Sequence, residues 1–357
     1  MTDEKFGRKF LENENELSGE SDPHIVVIGG GSGSSHLLRG LKQCVANITA
    51  IVTMFDSGGS SGLLRREFGY PPFGDLRQCL LALSQESEPA LTLEPLLDFR
   101  FEKESSLRGH NLGNLLMAAL TSLSNLEEAV DQLSQVLRIR GQVVPVSLDE
   151  ADLCAELQDR TVLKGETNID LRGRSVPRIA RVFLKPRARA NPRAIEAILS
   201  ADLIVFGPGD LYTSIIPNLL VSGIPEALSQ TPATLVYVCN LMTKLGETDD
   251  FTASQFVGEM NRYLSGRTLD WALVNTGYIS QEVQAKYATE GAQPVDVDLE
   301  MLVKQGVKYL RGPFADNQTP VRHNPGILAD AILSLVHYNR MIIENNLNVQ
   351  QEADDTN

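Results

Sequence analysis

Between Asp56 and Asp75 the chain reads DSGGSSGLLRREFGYPPFGD, which gathers oxygen donors and glycine in a way that packing does not require. Asp56 offers a carboxylate, and Ser57, Ser60 and Ser61 offer hydroxyls. Gly58, Gly59 and Gly62 open the backbone amides to close approach. Arg65 and Arg66 follow, then Gly74, Asp75 and Arg77, with an acid and a cation at the start of a helix-like run. Amides and hydroxyls arranged this way suit a phosphorylated sugar or a nucleotide. Asp56 would serve as a ribose-hydroxyl acceptor, a base or a Mg²⁺ ligand. Each residue also has a plainer use. Asp56 could terminate a turn, Asp75 could be an N-cap worth about 1 kcal/mol, and the arginines could be solvated.

Four further stretches have the same character. GGGSGSSH places Gly29, Gly30, Gly31, Ser32 and Gly33 between an apolar run and a helical one, where amides and a helix dipole favour phosphate. It meets G-x-G-x-x-G only in part, with Ser34 in the last place, and it lacks the G-K-[ST] of a nucleotide-hydrolysing P-loop. GHNLGNLL gives His110, Asn111 and Asn114. FGPGDLYTSIIPNL gives Gly207, Gly209, Asp210, Tyr212, Thr213 and Ser214, and CNLMTKLGET gives Asn240, Thr243 and Glu247. Any one of these is an ordinary turn. Together they outline one polar cleft.

The elements that must position them alternate. HIVVIG, ITAIVTMF, ADLIVFG, ATLVYVCN and LDWALVN are short Val/Ile-rich runs of the kind buried on both faces of a parallel sheet. SSHLLRGLKQC, DLRQCLLALS, LGNLLMAALTSL, LEEAVDQLSQVLRI, PRAIEAILS and TASQFVGEMNRYLS are helical. The pattern predicts an α/β fold with a Rossmann-like doubly wound parallel sheet, whose ligands lie beyond the carboxyl ends of the strands. Residues 141–185 read as a smaller, mainly β inserted lobe. Residues 1–23 and 346–357 read as disordered tails, leaving 24–345 as one domain.

The 357 residues are 42% hydrophobic and carry a net charge of −14, which disfavours nucleic acid and anionic membrane surfaces. A basic stretch from Leu171 to Ile195 holds eight Lys or Arg and no acid; it reads as a solvated face or a surface for a protein partner. The four cysteines show no C-x-x-C spacing, and the five histidines no H-E-x-x-H, so neither a disulfide framework nor a structural zinc is expected. With no signal-peptide pattern and no apolar run of membrane-spanning length, the expected location is cytoplasmic, without membrane insertion. A homo-oligomer stays open.

The order of these motifs resembles the YvcK/CofD-like family, which includes gluconeogenesis factors and 2-phospho-L-lactate transferase. VVIGGGSGSSHLLRGLK, DSGGSSGLLR, PPFGDLRQCLLAL, GHNLGNLLMAALT, FGPGDLYTSIIPNLLV, VYVCNLMTKLGET and VRHNPG carry the resemblance, which spans residues 24–338. It implies a cleft for nucleotide-bearing ligands. In the YvcK-like branch these are UDP-sugars such as UDP-N-acetylglucosamine, with a link to cell shape and cell-wall precursor supply. In the transferase branch the implied chemistry is transfer of a phospholactyl group from a guanylylated donor, with Mg²⁺. By position, Gly29–Gly33 would take the phosphates and Asp56 with GGSSG the sugar or reactive end. Gly207-Pro208-Gly209, Asn240 and Thr243 would form the other wall, with Arg322 a late ligand contact. The resemblance commonly has a second acid where this chain has Ser57.

Three readings follow. The first is a nucleotide-sugar or dinucleotide receptor without turnover. The second is a Mg²⁺-dependent phosphotransferase using Asp56, assisted by Asp75 or His110. The third is an NAD(P)-dependent oxidoreductase, resting on the partial G-x-G-x-x-G alone.

Overall fold

The computed structural model describes residues 22–85, 93–102, 104–173, 177–316 and 318–354. The tail expected over 1–23 lies almost wholly outside them, as do 355–357, and the last helix is described from Pro325 to Asp354.

Ten strands are described. Seven form one parallel sheet: β1 (Ile25–Gly29), β2 (Ile48–Val52), β3 (Gln142–Pro145), β7 (Leu203–Phe206), β8 (Thr234–Val238), β9 (Trp271–Asn275) and β10 (Lys308–Gly312). Their spatial order is β10-β9-β8-β7-β1-β2-β3. The central strands are buried throughout, as their uninterrupted Ile, Val and Leu require when helices cover both faces. Five of the apolar runs read from sequence are these central and near-central strands. From β1 the chain winds outward to β2 and β3, then returns to β7 and winds the other way. The order therefore reverses between β1 and β7, and the crevice above that junction is where a doubly wound sheet binds ligands.

The second sheet is small and antiparallel: β4 (Asp152–Leu157), β5 (Val162–Lys164) and β6 (Ile179–Lys185), in the order β5-β4-β6. A short helix, Glu166–Asp170, follows β5. Residues 141–185 thus divide. Gln142–Pro145 pairs with β2 as the edge of the main sheet, and the lobe proper begins at Asp152. As an edge strand β3 can end in Pro145, since no further strand needs its amide.

Helix starts are locally specified. The Asn111 side chain caps Leu112–Leu123, and Asn191 with Pro192 opens Pro192–Leu199. Cys79, Cys154 and Cys239 are buried free thiols, whereas Cys44 is exposed at a helix end. Among the described residues no helix is long and apolar enough to cross a membrane.

Candidate functional site

At the β1/β7 junction two loops pack directly on one another. The Gly30–Gly31 turn leads from β1 into the helix Ser32–Cys44, whose N-terminus has no side-chain cap. Across from it runs Gly207-Pro208-Gly209. A Cβ on Gly33 would lie 1.8 Å from the Pro208 carbonyl oxygen, and one on Gly31 would lie 2.5 Å from Asp75 Oδ1. Gly31 and Gly33 are therefore glycines because neighbouring chain occupies the space. Gly29 and Gly207 both abut the Ser34 hydroxyl, below the cleft rather than in it.

Above this junction lies a cavity of about 620 Å³, within the range of small-molecule sites. Ser32, Gly33, Pro208, Gly209, Asn240, Thr243 and Arg322 line it, as do His36, Arg172, Asp210, Lys244 and His323. A second cavity of about 290 Å³ is lined by Asp56, Gly58, Gly59, Ser60, Ser61, Gly74, Asp75, Arg77 and Asn114, with Glu166 and Thr167 from the lobe. The two share Asp170 and Leu171. A third, also about 290 Å³, shares Ser32, His36 and Arg322 with the first and Arg77 and Gln78 with the second. The strand-end motifs thus border adjoining spaces over one edge of the sheet.

The second cavity is acidic. Asp56 Oδ1 accepts from the Gly58 amide at 2.8 Å, and the Asp56 carboxyl also hydrogen-bonds Ser61 and Glu166. Burial raises Asp56 above the usual carboxylate range. Burial and then the neighbouring Asp56 charge push both Asp75 and Glu166 up to about 7. Gly59-Ser60-Ser61-Gly62 is the first turn of the helix Gly59–Phe68, not a flexible loop. Its hydroxyls do structural work there. Ser60 Oγ accepts from the Asn111 amide at 3.0 Å, and Ser61 Oγ accepts from the Gly74 amide at 3.0 Å. Ser57 reaches the lobe: its Oγ accepts from the Thr167 amide at 3.0 Å and lies 3.1 Å from the Thr167 hydroxyl.

Where the first two cavities meet, Lys244 Nζ ion-pairs with Asp170, with Asp210 at 2.5 Å and with Glu247 at 3.2 Å. Glu247 is fully enclosed, and burial lifts its carboxyl to about 8 against the pull of Lys244. The carboxylate oxygens of Asp170, Asp210 and Glu247 lie within 4.8 Å of one another. The lysine ammonium already supplies the cation such a cluster needs.

Several expected contacts face elsewhere. Arg65 donates to the Ala151 carbonyl at 3.0 Å and pairs with Asp152 at 3.1 Å, so it fastens the lobe. Tyr212 is buried toward Glu259 and Tyr263, and Thr213 is buried with it in the π-helical turn Leu211–Ile215. Asn111 is consumed as a helix cap and by the Asp98 carbonyl. His110 is buried, with no partner at Nδ1 among the described residues. The basic stretch 171–195 is partly neutralised: Arg181 pairs with Glu156, Arg189 with Asp149 and Arg193 with Asp131. Sequence reading missed Glu166, Asp170, Arg172 and Lys244. Their signal was weak: GETNID has the same strand, Gly, acid pattern as the other junctions, and Lys244 stands inside a block already singled out.

Comparison with known proteins gives the family and the fold. Residues 25–315 match the family described as 2-phospho-L-lactate transferase CofD. The gluconeogenesis factor of Halalkalibacterium halodurans is 47% identical over 313 residues, 87% of this chain and 95% of that protein. The gluconeogenesis factor of Bacillus subtilis is 44% identical over 317 residues, 88% of this chain and 98% of that protein. A crystal structure of a UPF0052 family member from Bacillus halodurans superposes with a TM-score of 0.84 at 45% identity, covering 88% of this chain and all of that one.

Proposed function

The chain belongs to the CofD family, and from that premise we propose that it is a receptor for a nucleoside diphosphate sugar, of the gluconeogenesis-factor type. The single observation that carries this reading is the run of adjoining cavities over the β1/β7 reversal, wide at one end and acidic at the other. A base and ribose fit the 620 Å³ space. The diphosphate would cross the uncapped start of the helix Ser32–Cys44, within reach of Arg322, and the sugar would point toward Asp56. UDP-N-acetylglucosamine is the preferred ligand because the sequence blocks resemble the YvcK-like branch. By the same resemblance the role would be cytoplasmic, serving cell shape and cell-wall precursor supply.

Mg²⁺ fits the acidic end by donor chemistry. Asp56, Asp75 and Glu166 present hard oxygen ligands, and Mg²⁺ takes few protein carboxylates and completes its shell with waters and phosphate oxygens. When bound it would neutralise those acids and the phosphate charge.

A second reading, a Mg²⁺-dependent phosphotransferase resembling 2-phospho-L-lactate transferase, is favoured by one feature. Asp75 and Glu166, both near 7, are suited to exchanging a proton at neutral pH. The deciding experiment is a thermal-shift titration with UDP-N-acetylglucosamine, NADP⁺, GDP and GTP, with and without Mg²⁺. A ligand at about 100 times its dissociation constant adds roughly 2.7 kcal/mol. A UDP-sugar shift that persists in EDTA supports the receptor. A shift confined to guanine nucleotides with Mg²⁺ replaces it with the transferase, and a shift with NADP⁺ alone makes it a dinucleotide protein.

A further inference from the structure

We propose that the cavity of about 290 Å³ lined by Arg39, Arg77 and Arg322 is a second anion site, which takes a small phosphate monoester beside the nucleotide. The inference goes beyond the receptor reading and does not depend on it.

The three arginines come from three separate parts of the chain. Arg39 lies in the helix Ser32–Cys44, Arg77 in the helix Gly74–Leu83, and Arg322 beyond β10. Packing gains nothing from gathering like charges around one space, since they repel. Counter-charges are present but do not cancel them. Arg39 pairs with Glu94 and Arg77 with Asp98, and Asp98 is the one acid on the cavity wall. Arg322 meets His36 Nε2, an acceptor without charge, and has no carboxylate partner among the described residues. Three guanidiniums therefore face two carboxylates, in a chain whose net charge is −14. The adjoining cavity at Asp56 has the opposite balance, with four acids against two arginines.

Donors on this wall are left over as well. Arg77 is only 6% exposed. Its Nε donates to Asn114 Oδ1 at 3.1 Å and its Nη1 pairs with Asp98, while Nη2 has no partner among the described residues. A guanidinium cannot shed its proton, so its enclosed N–H groups need an acceptor. Ser32 Oγ donates to Gln78 Oε1 at 3.0 Å, which leaves the Gln78 amide hydrogens for another acceptor. A carboxylate is satisfied by one guanidinium fork. A phosphate monoester has three terminal oxygens and two charges, which suits donors converging from separate elements. Ser32, His36 and Arg322 also border the 620 Å³ cavity, whereas Arg39 borders neither that one nor the acidic one. Arg39 is thus the residue that sets this site apart from the nucleotide's.

The test uses inorganic phosphate as probe, followed by calorimetric titration of the full chain at constant ionic strength, with and without saturating UDP. Wild type should take up one phosphate in both conditions. Arg39→Gln should weaken phosphate by about tenfold or more, as loss of a charge-assisted hydrogen bond does, and leave UDP affinity and melting without phosphate near wild type. Glu94→Gln breaks the same ion pair but keeps the guanidinium, so it should still bind phosphate. It carries the comparison should Arg39→Gln melt early. The proposal is overturned if wild type shows no saturable phosphate binding, or if Arg39→Gln binds as wild type does. It is also overturned if Glu94→Gln weakens phosphate as much as Arg39→Gln, which makes the pair structural. Displacement of phosphate by UDP overturns it too, because the phosphate would then occupy the nucleotide's own track. UDP binding alone is measured separately. Its absence with phosphate binding intact would remove the nucleotide reading and leave the anion site standing.

Discussion

The Lys244 ammonium lies 2.5 Å from the carboxylate of Asp210. That contact crosses between the main sheet's loops, and the same nitrogen also pairs with Asp170 of the lobe and with buried Glu247. Lys244 is thus the counter-charge for three acids and one of the links between lobe and sheet.

Lys244→Met should therefore be costly, because it strands Glu247 and leaves Asp170 and Asp210 repelling each other. Lys244, Asp170 and Asp210 are partly exposed, so the loss is expected between that of a surface and a buried pair, about 1–3 kcal/mol. Urea denaturation should show that loss, and Lys244→Met with Glu247→Gln should recover part of it. A single variant as stable as wild type would mean that the acids are satisfied by water.

His323 should give the fold a pH dependence. Its Nε2 lies 3.2 Å from the Cys239 carbonyl, and burial lowers its pKa to about 4 against the pull of that carbonyl and of the Asp316 charge, with the titratable ring of His36 also facing it. The folded state keeps the ring neutral, while the unfolded chain takes up a proton near 6.5. Stability is then present above 6.5 and is lost as pH falls from 6.5 toward 4. The loss attributable to His323 is about 2 kcal/mol between pH 7 and pH 5. Comparing wild type with His323→Gln by urea midpoints across that window should isolate it. Parallel pH profiles would remove His323 as the cause.

How much was legible follows from what each segment must do. β1, β2, β7, β8 and β9 must be apolar on both faces, so they announce themselves in Val and Ile. β10 is half exposed at the sheet edge and reads KYLRG, which has no such signal. β3 reads as part of the lobe because an edge strand need not be longer or more apolar than a lobe strand. Gly59–Gly62 reads as a loop because glycine disfavours helix. It is helical because the Asn111 and Gly74 amides donate to its Ser60 and Ser61 hydroxyls, and Asp56 holds the amide of Gly58, the residue just before it. Strand-end glycines and acids marked the cleft, since ligands gather there in any such sheet. Glu166 and Lys244 were invisible as site residues because their partners are brought near only by the docking of the lobe.

Gly33→Ala tests the loop contact at the β1/β7 junction. The added methyl would fall 1.8 Å from the Pro208 carbonyl oxygen, and backbone must shift to admit it. Overpacking of that kind costs about 1–3 kcal/mol. Ligand affinity should fall as well, since the displaced loop lines the large cavity. A Gly33→Ala protein with wild-type melting and wild-type ligand affinity would show that the two loops can separate freely.

Arg322 is the residue whose loss should separate binding from stability. It is exposed, and its guanidinium lies 2.6 Å from His36 Nε2. His36 Nδ1 lies 2.9 Å from the Ser32 carbonyl, so Nδ1 carries the hydrogen and Nε2 is left to accept from Arg322. Burial lowers the His36 pKa, and the positive charges of Arg322 and Arg39 lower it further, which keeps that acceptor in place at neutral pH. The guanidinium is thereby held at the rim shared by two of the cavities, beside the start of the helix Ser32–Cys44. If phosphates cross there, Arg322→Ala loses a charge-assisted hydrogen bond of about 1.5–3 kcal/mol, a drop in affinity of roughly ten- to a hundredfold. Melting without ligand should change little, since the side chain contributes no core. Calorimetric titration with UDP-N-acetylglucosamine and with uridine separates the two halves of the ligand. Arg322→Ala should weaken the nucleotide sugar and leave uridine alone. Equal weakening of both would move the phosphates away from this rim, and no weakening of either would take Arg322 out of the site.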